Sequence, residues 1–402
     1  MADYKSTASG SRVPPGGGDG IPVHPEGEGS FVSKPLPSSL VLDQLTQQRR
    51  SWADYTLGRL CEAAAGLPDR NVLVRPTQRH EIQSMLAFRG VTVTNREIAS
   101  IDLPDEGMRR LPYNVKRYVE VMGDATQEVL TAPVGKVLKR VARDLADLSE
   151  GSSTDDGLPW RTTQRWFGDS AETAYLPAAP LGPDLRAEAE QLFEWMDSPM
   201  EMTFVDKVAL GAYQLFTLDP FTHTADLLHV YVTLELIKRC VLQDQIVPVS
   251  VHIDRNRDLF HQLHRDVART ENFNSWVRFF ADGLVEQCGN QLRVVRELAQ
   301  LPERYINRYM ETVDADRRRD GFARLVAVLP SFQIVTSQLI ADRCEFSPKR
   351  ARELLLKAEK LEFVERVETR SKTKIYEVKD VRRAIDLYAG MIPERDLDVT
   401  EK

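Results

Sequence analysis

The spacing of apolar residues restricts this chain more than any other feature of its sequence. From Leu40 to Leu60, large apolar side chains recur at intervals of mostly three and four residues, which is the period of an amphipathic helix. The spacing continues along most of the chain, and breaks between the periodic stretches hold Pro and Gly. The pattern predicts a mainly α protein, with helices over residues 40–65, 76–89, 111–122, 127–149, 183–197, 201–218, 225–243, 255–268 and 273–296.

Length and charge restrict the class of protein. A chain of 402 residues exceeds what one hydrophobic core usually organises, so several domains are expected. The net charge of −7 provides no overall attraction for nucleic acid, so DNA contact would need a local basic patch. We expect no membrane partner, because no run of about eighteen apolar residues occurs. The four widely spaced cysteines indicate reduced thiols and a cytoplasmic location.

The first 36 residues differ from the rest in composition. They are rich in Gly and Pro and contain few large apolar side chains. Such a segment buries too little surface to offset the entropy cost of ordering. The composition predicts a disordered tail over residues 1–36.

One short segment departs from the helical pattern. The run from Arg161 to Gly168 is not amphipathic as a helix and instead indicates a β-hairpin. A lone hairpin is only marginally stable in water, so it should lie on the neighbouring helices. There its extended backbone could receive the edge of a peptide.

The last hundred residues indicate a separate α+β module. Helical spacing covers Thr336 to Arg343, and Ser347-Pro348 supplies an N-cap and an N1 proline for a second helix. Two alternating runs then follow, around Val364 and around Tyr376. Helix, turn, helix and hairpin in this order predict a winged helix-turn-helix.

Several ordered segments together resemble the Fic family. The runs Arg161 to Gly168 and Ala174 to Pro180 resemble the flap hairpin and exit loop of that family, and Ala212 to Leu218 resembles the helix before its active-site loop. Asp254 to Phe280 resembles its closing helices, and parts of residues 34–119 resemble its N-terminal helical domain. The resemblance covers about residues 34–388. It implies a Fic (Fido) core with a flap, and with the composition it predicts four parts: a tail over 1–36, a helical domain over 37–125, the core over 126–300 and the winged helix over 315–390.

The family's active-site motif is largely absent. It reads His-Pro-Phe-x-Asp/Glu-Gly-Asn-Gly-Arg-x-x-Arg, and the matching run here is Asp219 to Val230. Only Pro220 and Phe221, which shape the loop, survive. The resemblance places Asp219 at the catalytic base and His223 at the metal-binding carboxylate, so these two are the candidate catalytic residues. The other candidate residues of the loop are Thr224, Asp226 and His229.

These replacements alter the chemistry that the resemblance implies. An ordinary Asp is a weaker base than His, and His is a poor ligand for Mg²⁺. Asp226 would repel a phosphate where the family presents backbone N–H groups. Leu227 and Val230 stand where the family has its two phosphate-binding arginines. We therefore expect no ATP or magnesium binding in the family's manner, and the sequence names no other cofactor.

The family's inhibitory helix is altered as well. Residues 83–90 occupy its register, and Arg89 stands where the inhibitory glutamate would be. Val230 replaces the arginine that this glutamate would bind. Both halves of the inhibitory contact are absent together.

Two interpretations of the loop stay open on the sequence. His223, Asp226 and His229 recur at helical spacing and could bind a metal, although plain solvation at a loop-to-helix junction is favoured and no metal is predicted. Asp219 and His223 could support altered chemistry or ligand binding in the former pocket. Alternatively, the pocket is an inactive remnant in a pseudoenzyme. The histidines His252, His261 and His264 are interpreted as part of a solvated helix face.

Two candidate partner surfaces follow. At the flap, Gln164, Trp166, Gly168 and Tyr175 would contact a polypeptide, as the resemblance implies. In the winged helix, residues 341–390 hold thirteen Lys and Arg against ten Asp and Glu, a mild excess that favours a protein partner slightly over DNA. The candidate contacts there are Lys349, Arg350, Arg352, Arg370, Lys372 and Lys374. The sequence is also compatible with a homodimer.

Overall fold

The structure is a computed structural model that carries all side-chain atoms. It describes residues 6–7, 10–13, 30–67, 81–87, 93, 97–98, 113–146, 157–167, 176–179, 181–199, 202–222, 224–239, 247–312, 321–367 and 373–388.

Helices make up most of the described residues, as the apolar spacing predicts. The helices of the main body are α1 (Gln44–Ala65), α2 (Tyr113–Glu128), α3 (Val134–Ala146), α4 (Pro183–Asp197), α5 (Phe204–Leu218), α6 (Thr224–Arg239), α7 (Val249–Arg255), α8 (Arg257–Thr270) and α9 (Asn274–Thr312). A helical segment also covers residues 81–87. The C-terminal unit contains α10 (Phe322–Val328), α11 (Ser337–Cys344), α12 (Pro348–Lys360) and α13 (Lys379–Tyr388).

Two of the predicted helices end or divide at backbone breaks. The predicted helix over 127–149 overlaps the end of α2 and then α3, with Pro133 between them, directly before α3, where its missing N–H costs no helical hydrogen bond. The helix predicted over 255–268 is preceded by α7, and Asn256 separates α7 from α8 with φ −112° and ψ 35°. Apolar spacing therefore located the helices but not these boundaries.

Helix α5 lies at the centre of the main body. Its residues from Val205 to Leu218 are all buried, which is typical of a helix surrounded by other elements. It packs against α4, α6 and α9. Gly211 allows the closest approach, because a Cβ there would lie 2.0 Å from the Tyr231 hydroxyl oxygen of α6. That hydroxyl donates a hydrogen bond to the carbonyl of Lys207 at 2.8 Å, so α5 and α6 are held at a fixed distance.

Helix α9 connects the main body to the C-terminal unit. The sequence predicts its end at residue 296, but the helix continues to Thr312 with Pro302 inside it. Its first part packs along α1, and its last part packs against α10 and α13. The rings of Tyr305 and Phe363 stack with centroids 4.1 Å apart. The boundary predicted between 300 and 315 thus falls partly on a continuous helix.

The sheets are small and antiparallel. In the flap, β4 (Trp166–Phe167) pairs with β5 (Leu176–Pro177). In the C-terminal unit, β6 (Ile334–Thr336), β7 (Val364–Val367) and β8 (Ile375–Val378) form a sheet in the order β6-β8-β7. In this unit α11 and α12 precede the β7-β8 hairpin, and β6 pairs with β8.

Three further strands depart from the prediction of a disordered tail. They are β1 (Ser6–Thr7), β2 (Gly10–Val13) and β3 (Ser30–Ser33), and they form an antiparallel sheet in chain order. Backbone N–H and C=O groups can pair between strands whatever the side chains are, which composition alone does not reveal. Most of residues 1–36 lies outside the described ranges.

Two general expectations can be compared with the structure. Among the described residues, no helix has both the length and the apolar character needed to cross a bilayer. Cys61, Cys288 and Cys344 form no disulfide bond in the part of the chain that the structure describes, and Cys240 lies outside it.

Candidate functional site

The candidate site centres on Asp219, directly after α5. Asp219 caps this helix in the left-handed conformation, with φ 44° and ψ 56°. Asp tolerates that conformation better than most residues. The conformation turns the chain sharply into Pro220 and Phe221, the two residues that match the Fic motif.

Two arginines hold the Asp219 carboxylate. The Arg165 guanidinium donates to its two oxygens at 3.0 and 3.3 Å, and Arg161 Nε lies 3.8 Å from Oδ2. The Asp219 side chain is 11% exposed. Both oxygens of the Asp219 carboxylate are therefore engaged by the Arg165 guanidinium, with Arg161 close by, and these charged contacts hold the side chain in place.

Arg161 also organises the backbone around this loop. Its guanidinium donates to the carbonyls of Asp219 and Ala179, both at 2.8 Å, and of Thr163 at 3.0 Å. Burial lowers the pKa of Arg161 to about 10, although the charge of Asp219 opposes this shift. Arg161 is thus still charged at neutral pH, and it joins three chain segments at one point.

The segment before the flap lies directly on the motif loop. The backbone N–H of Arg161 donates to Pro220 at 3.0 Å, and the N–H of Thr222 donates to Pro159 at 2.9 Å. The ring centroids of Trp160 and Phe221 are 4.9 Å apart, and Phe221 is completely buried. Backbone pairing and ring packing therefore close the loop on this side.

The first turns of α6 present apolar side chains. Leu227 and Val230 occupy the two arginine positions of the motif and are 1% and 0% exposed. Both belong to the main hydrophobic core. His223 lies outside the described residues, as do the side chains of Thr224 and Asp226, so the predicted Asp219–His223 pair is not described.

His229 is not solvated, and that interpretation of the histidine-rich junction is wrong for this residue. It is fully buried, and its Nδ1 lies 2.8 Å from Ser250 Oγ. Burial, with a smaller contribution from Arg257, lowers the pKa of His229 to about 3. The three-residue spacing of the candidate cluster did not reveal that helix α6 turns this position towards the core. Among the described residues, no group of three side chains could hold a metal.

Glu81, which was not among the residues predicted from the sequence, is part of the same buried network. Ser250 Oγ donates to its carboxylate, and so does Thr233 Oγ1 at 2.7 Å. Burial raises the pKa of Glu81 to about 7, against the effect of these hydrogen bonds. A signal was present, because Glu81 precedes Met85 by four residues on the apolar face of the segment. Of the predicted inhibitory register, residues 83–87 are described and Arg89 is not.

Of the four candidate residues of the flap, two lie within the described part of the chain. Gln164 is 8% exposed, and its Nε2 donates to the Ala178 carbonyl at 3.0 Å, so it ties the two arms of the hairpin. Trp166 is half-buried and lies in β4. Gly168 and Tyr175 lie outside the described residues.

Two of the three histidines predicted on a solvated helix face, His264 and His252, are buried, whereas His261 is half-buried. His264 is completely buried, and its Nε2 lies 2.9 Å from Thr217 Oγ1. Burial, with a smaller effect of His261, lowers its pKa to about 3. His252 is 9% exposed and its Nδ1 lies 2.8 Å from Glu286. The apolar face of α8, which packs on the aromatic core, includes His264 because of its spacing from Phe260.

The basic residues of the C-terminal unit are partly compensated by acids. Lys349 and Arg352 are exposed on α12, whereas Arg350 lies 3.4 Å from Glu353. Lys374 is half-buried, and Arg370 and Lys372 lie outside the described residues. Acidic side chains on and around α12, including Glu345 and Glu362, are largely exposed, so the surface has mixed charge.

Comparison with solved structures identifies the fold. The crystal structure of a Fic family protein from Desulfovibrio desulfuricans G20 matches 85% of this chain and 98% of its own chain, with a TM-score of 0.52 and 16% sequence identity. This chain has the Fic fold. No family model matches it, and no curated protein matches it either.

The candidate site lies in the connection between α5 and α6. The loop from Asp219 to Thr222 follows α5, and the segment before β4 contacts it through Arg165. At 16% identity the similarity concerns the fold alone. What the site does must be argued from its own residues.

Proposed function

We propose that this chain is a Fic-fold protein that does not transfer nucleotides and that acts by binding a protein partner. One observation carries the proposal: Asp219, which stands at the position of the catalytic base in the Fic motif, is engaged by Arg165 and Arg161. A general base must have a lone pair that is free to accept a proton from the reacting group. In this chain the carboxylate instead fastens the flap to the motif loop.

The apolar turns of α6 support the same proposal. Phosphoryl groups are bound by cations, metals or backbone N–H groups at a helix N-terminus. Leu227 and Val230 provide none of these and pack into the core. Placing arginine at either position would bury a charge, which is costly. The alternative of altered chemistry in the former pocket has less support, because it would require Asp219 to leave its ion pairs.

Two surfaces are candidates for the partner. The edge of the flap hairpin can accept an extended polypeptide by backbone pairing. The mixed charge around α12 suits a protein partner better than the phosphate backbone of DNA, which favours a one-sided basic surface. DNA binding by this unit is the second possibility that the tests must separate.

The loss of nucleotide transfer can be tested directly. Calorimetry of the full chain with each nucleoside triphosphate and Mg²⁺ should show no binding, and radiolabelled nucleotides should label neither the chain nor lysate proteins. Dissociation constants in the micromolar range that disappear in Arg165→Ala or Asp219→Asn would contradict the proposal.

The binding role needs a separate experiment. Peptides selected from a display library on the full chain should lose affinity at least tenfold for Trp166→Ala. Trp52→Ala, which removes an exposed tryptophan from α1, is the matched control and should bind normally. Selection of no peptide whose binding depends on Trp166 would remove the flap as a docking surface.

DNA binding is distinguished by its dependence on salt. If the C-terminal unit binds duplex DNA, the logarithm of the association constant should fall with the logarithm of salt concentration by about 0.9 per phosphate contact. Lys349→Ala and Arg352→Ala should each reduce that slope. Absence of binding to mixed duplex DNA at low salt would leave the protein-partner role.

A further inference from the structure

The N-terminal segment is fastened to the junction between α8 and α9 at two points. Lys34 Nζ lies 2.5 Å from Glu271, the residue that caps α8. Further along, the backbone N–H of Asp43 donates to Asn274 at 2.8 Å, and the Asp43 carboxylate pairs with Arg278 at 3.1 Å. Residue 34, where the N-terminal segment joins the rest of the chain, is therefore held at the junction between α8 and α9.

From this anchor, strand β3 runs alongside the flap. Residues Ser30–Ser33 contact both β5 of the flap hairpin and helix α5, and β1 contacts α8. β3 is an outer strand of the N-terminal sheet, and β5 is one of the two strands of the hairpin. Two strand edges thus lie next to each other.

Open strand edges bind extended polypeptides, and proteins usually cover or interrupt them. Here the cover is a strand of the same chain, close to an anchor and preceded by a stretch rich in Gly and Pro between β2 and β3. We propose that strand β3 (Ser30–Ser33) occupies the flap edge in cis and that a polypeptide partner must displace it. This inference rests on the proposed docking role of the flap and adds its regulation.

The expected occupancy of the flap edge by β3 follows from the covalent link between β3 and the rest of the chain. A short linker gives an effective concentration in the millimolar range. A segment that binds in trans with a dissociation constant of about 100 µM would then be bound about nine-tenths of the time in cis. Such a cover protects the flap about tenfold yet can be displaced by a partner.

Backbone hydrogen exchange tests this occupancy without any partner. Exchange in residues 160–167 and 176–179 should be about tenfold faster in a chain lacking residues 1–33 than in the full chain. Exchange in α12 serves as the internal reference and should not change. A synthetic peptide of residues 1–34, added at about 1 mM, should restore protection, whereas a peptide of the same composition in scrambled order should not.

A full-length variant guards against misfolding of the shortened chain. Val32→Pro removes the backbone N–H of a residue inside β3, in register with Ser11 of β2, and leaves the rest of the chain intact. It should accelerate flap exchange as the deletion does. Unchanged flap exchange in both variants would overturn the inference and leave the docking role standing. Faster exchange without any Trp166-dependent peptide would instead remove the docking role and keep the cover.

Discussion

At the scale of single residues, two neighbouring arginines of the site have different importance. The Arg161 side chain is 1% exposed and donates to several backbone carbonyls, whereas the Arg165 side chain is 39% exposed. Removing Arg161 leaves buried acceptors unpaired, which costs about 3 kcal/mol. An exposed ion pair such as that of Arg165 contributes at most about 1 kcal/mol.

We therefore expect Arg161→Ala to lower the free energy of unfolding by about 3 kcal/mol and Arg165→Ala by less than about 1 kcal/mol. Denaturant titration of both variants measures the difference. Equal losses would mean that Arg161 does not organise the loop.

Glu81 makes a second prediction at this scale, on the pH dependence of stability. Its pKa is raised to about 7 in the folded chain from an ordinary 4.5. Below pH 4.5 both states hold the proton. As pH rises towards 7 the unfolded state releases its proton first, so the free energy of unfolding falls, by about 3 kcal/mol in total.

Glu81→Gln keeps the shape of the side chain and removes this titration. The difference in unfolding free energy between the wild type and the variant should decrease from pH 4.5 to 7 and then stay constant. His229 and His264 make the free energy of unfolding rise with pH instead, because only the unfolded state binds their protons just below about pH 6.5. They are unchanged in both proteins, so a flat difference would show that Glu81 is charged in the fold.

At the scale of helices, the contact between α5 and α6 depends on one glycine. A Cβ at Gly211 would lie 2.0 Å from the Tyr231 hydroxyl, whereas a Cβ at Gly289 of α9 meets nothing within 4 Å. Gly211→Ala should lower the free energy of unfolding by about 1–3 kcal/mol through overpacking. Gly289→Ala should raise it by up to about 1 kcal/mol, because Ala favours helix. Thermal melts of the two variants should shift in opposite directions.

At the scale of the whole molecule, α9 supplies part of the core of the C-terminal unit. Leu298, Leu301, Tyr305 and Tyr309 are all 3% exposed or less, and the Tyr309 and Phe322 rings lie 4.3 Å apart. A fragment that begins at residue 315 lacks these side chains. A fragment that begins at 296 contains all of them.

We expect fragment 296–402 to unfold cooperatively and fragment 315–402 to show no cooperative transition, as followed by circular dichroism against temperature. Tyr305→Ala in the longer fragment is the control and should cost about 3–5 kcal/mol. A cooperative melt of the shorter fragment would show that the unit has an independent core.

The sequence by itself determined the mainly helical fold, the short hairpin and the C-terminal order of elements. These follow from local periodicity and from Pro and Gly, which act over a few residues. Residue spacing led to the wrong environment for His229 and His264, because spacing indicates a shared helix face but not what packs on that face.

Only the tertiary structure decided which side chains meet at the site. Glu81 and Ser250 are 169 residues apart in sequence, and Arg161 and Asp219 are 58 apart. Likewise, the position of β3 beside β5 and the continuation of α9 into the C-terminal unit depend on packing between distant segments. Such contacts arise from burial and hydrogen bonding across the fold, which no local pattern of residues encodes.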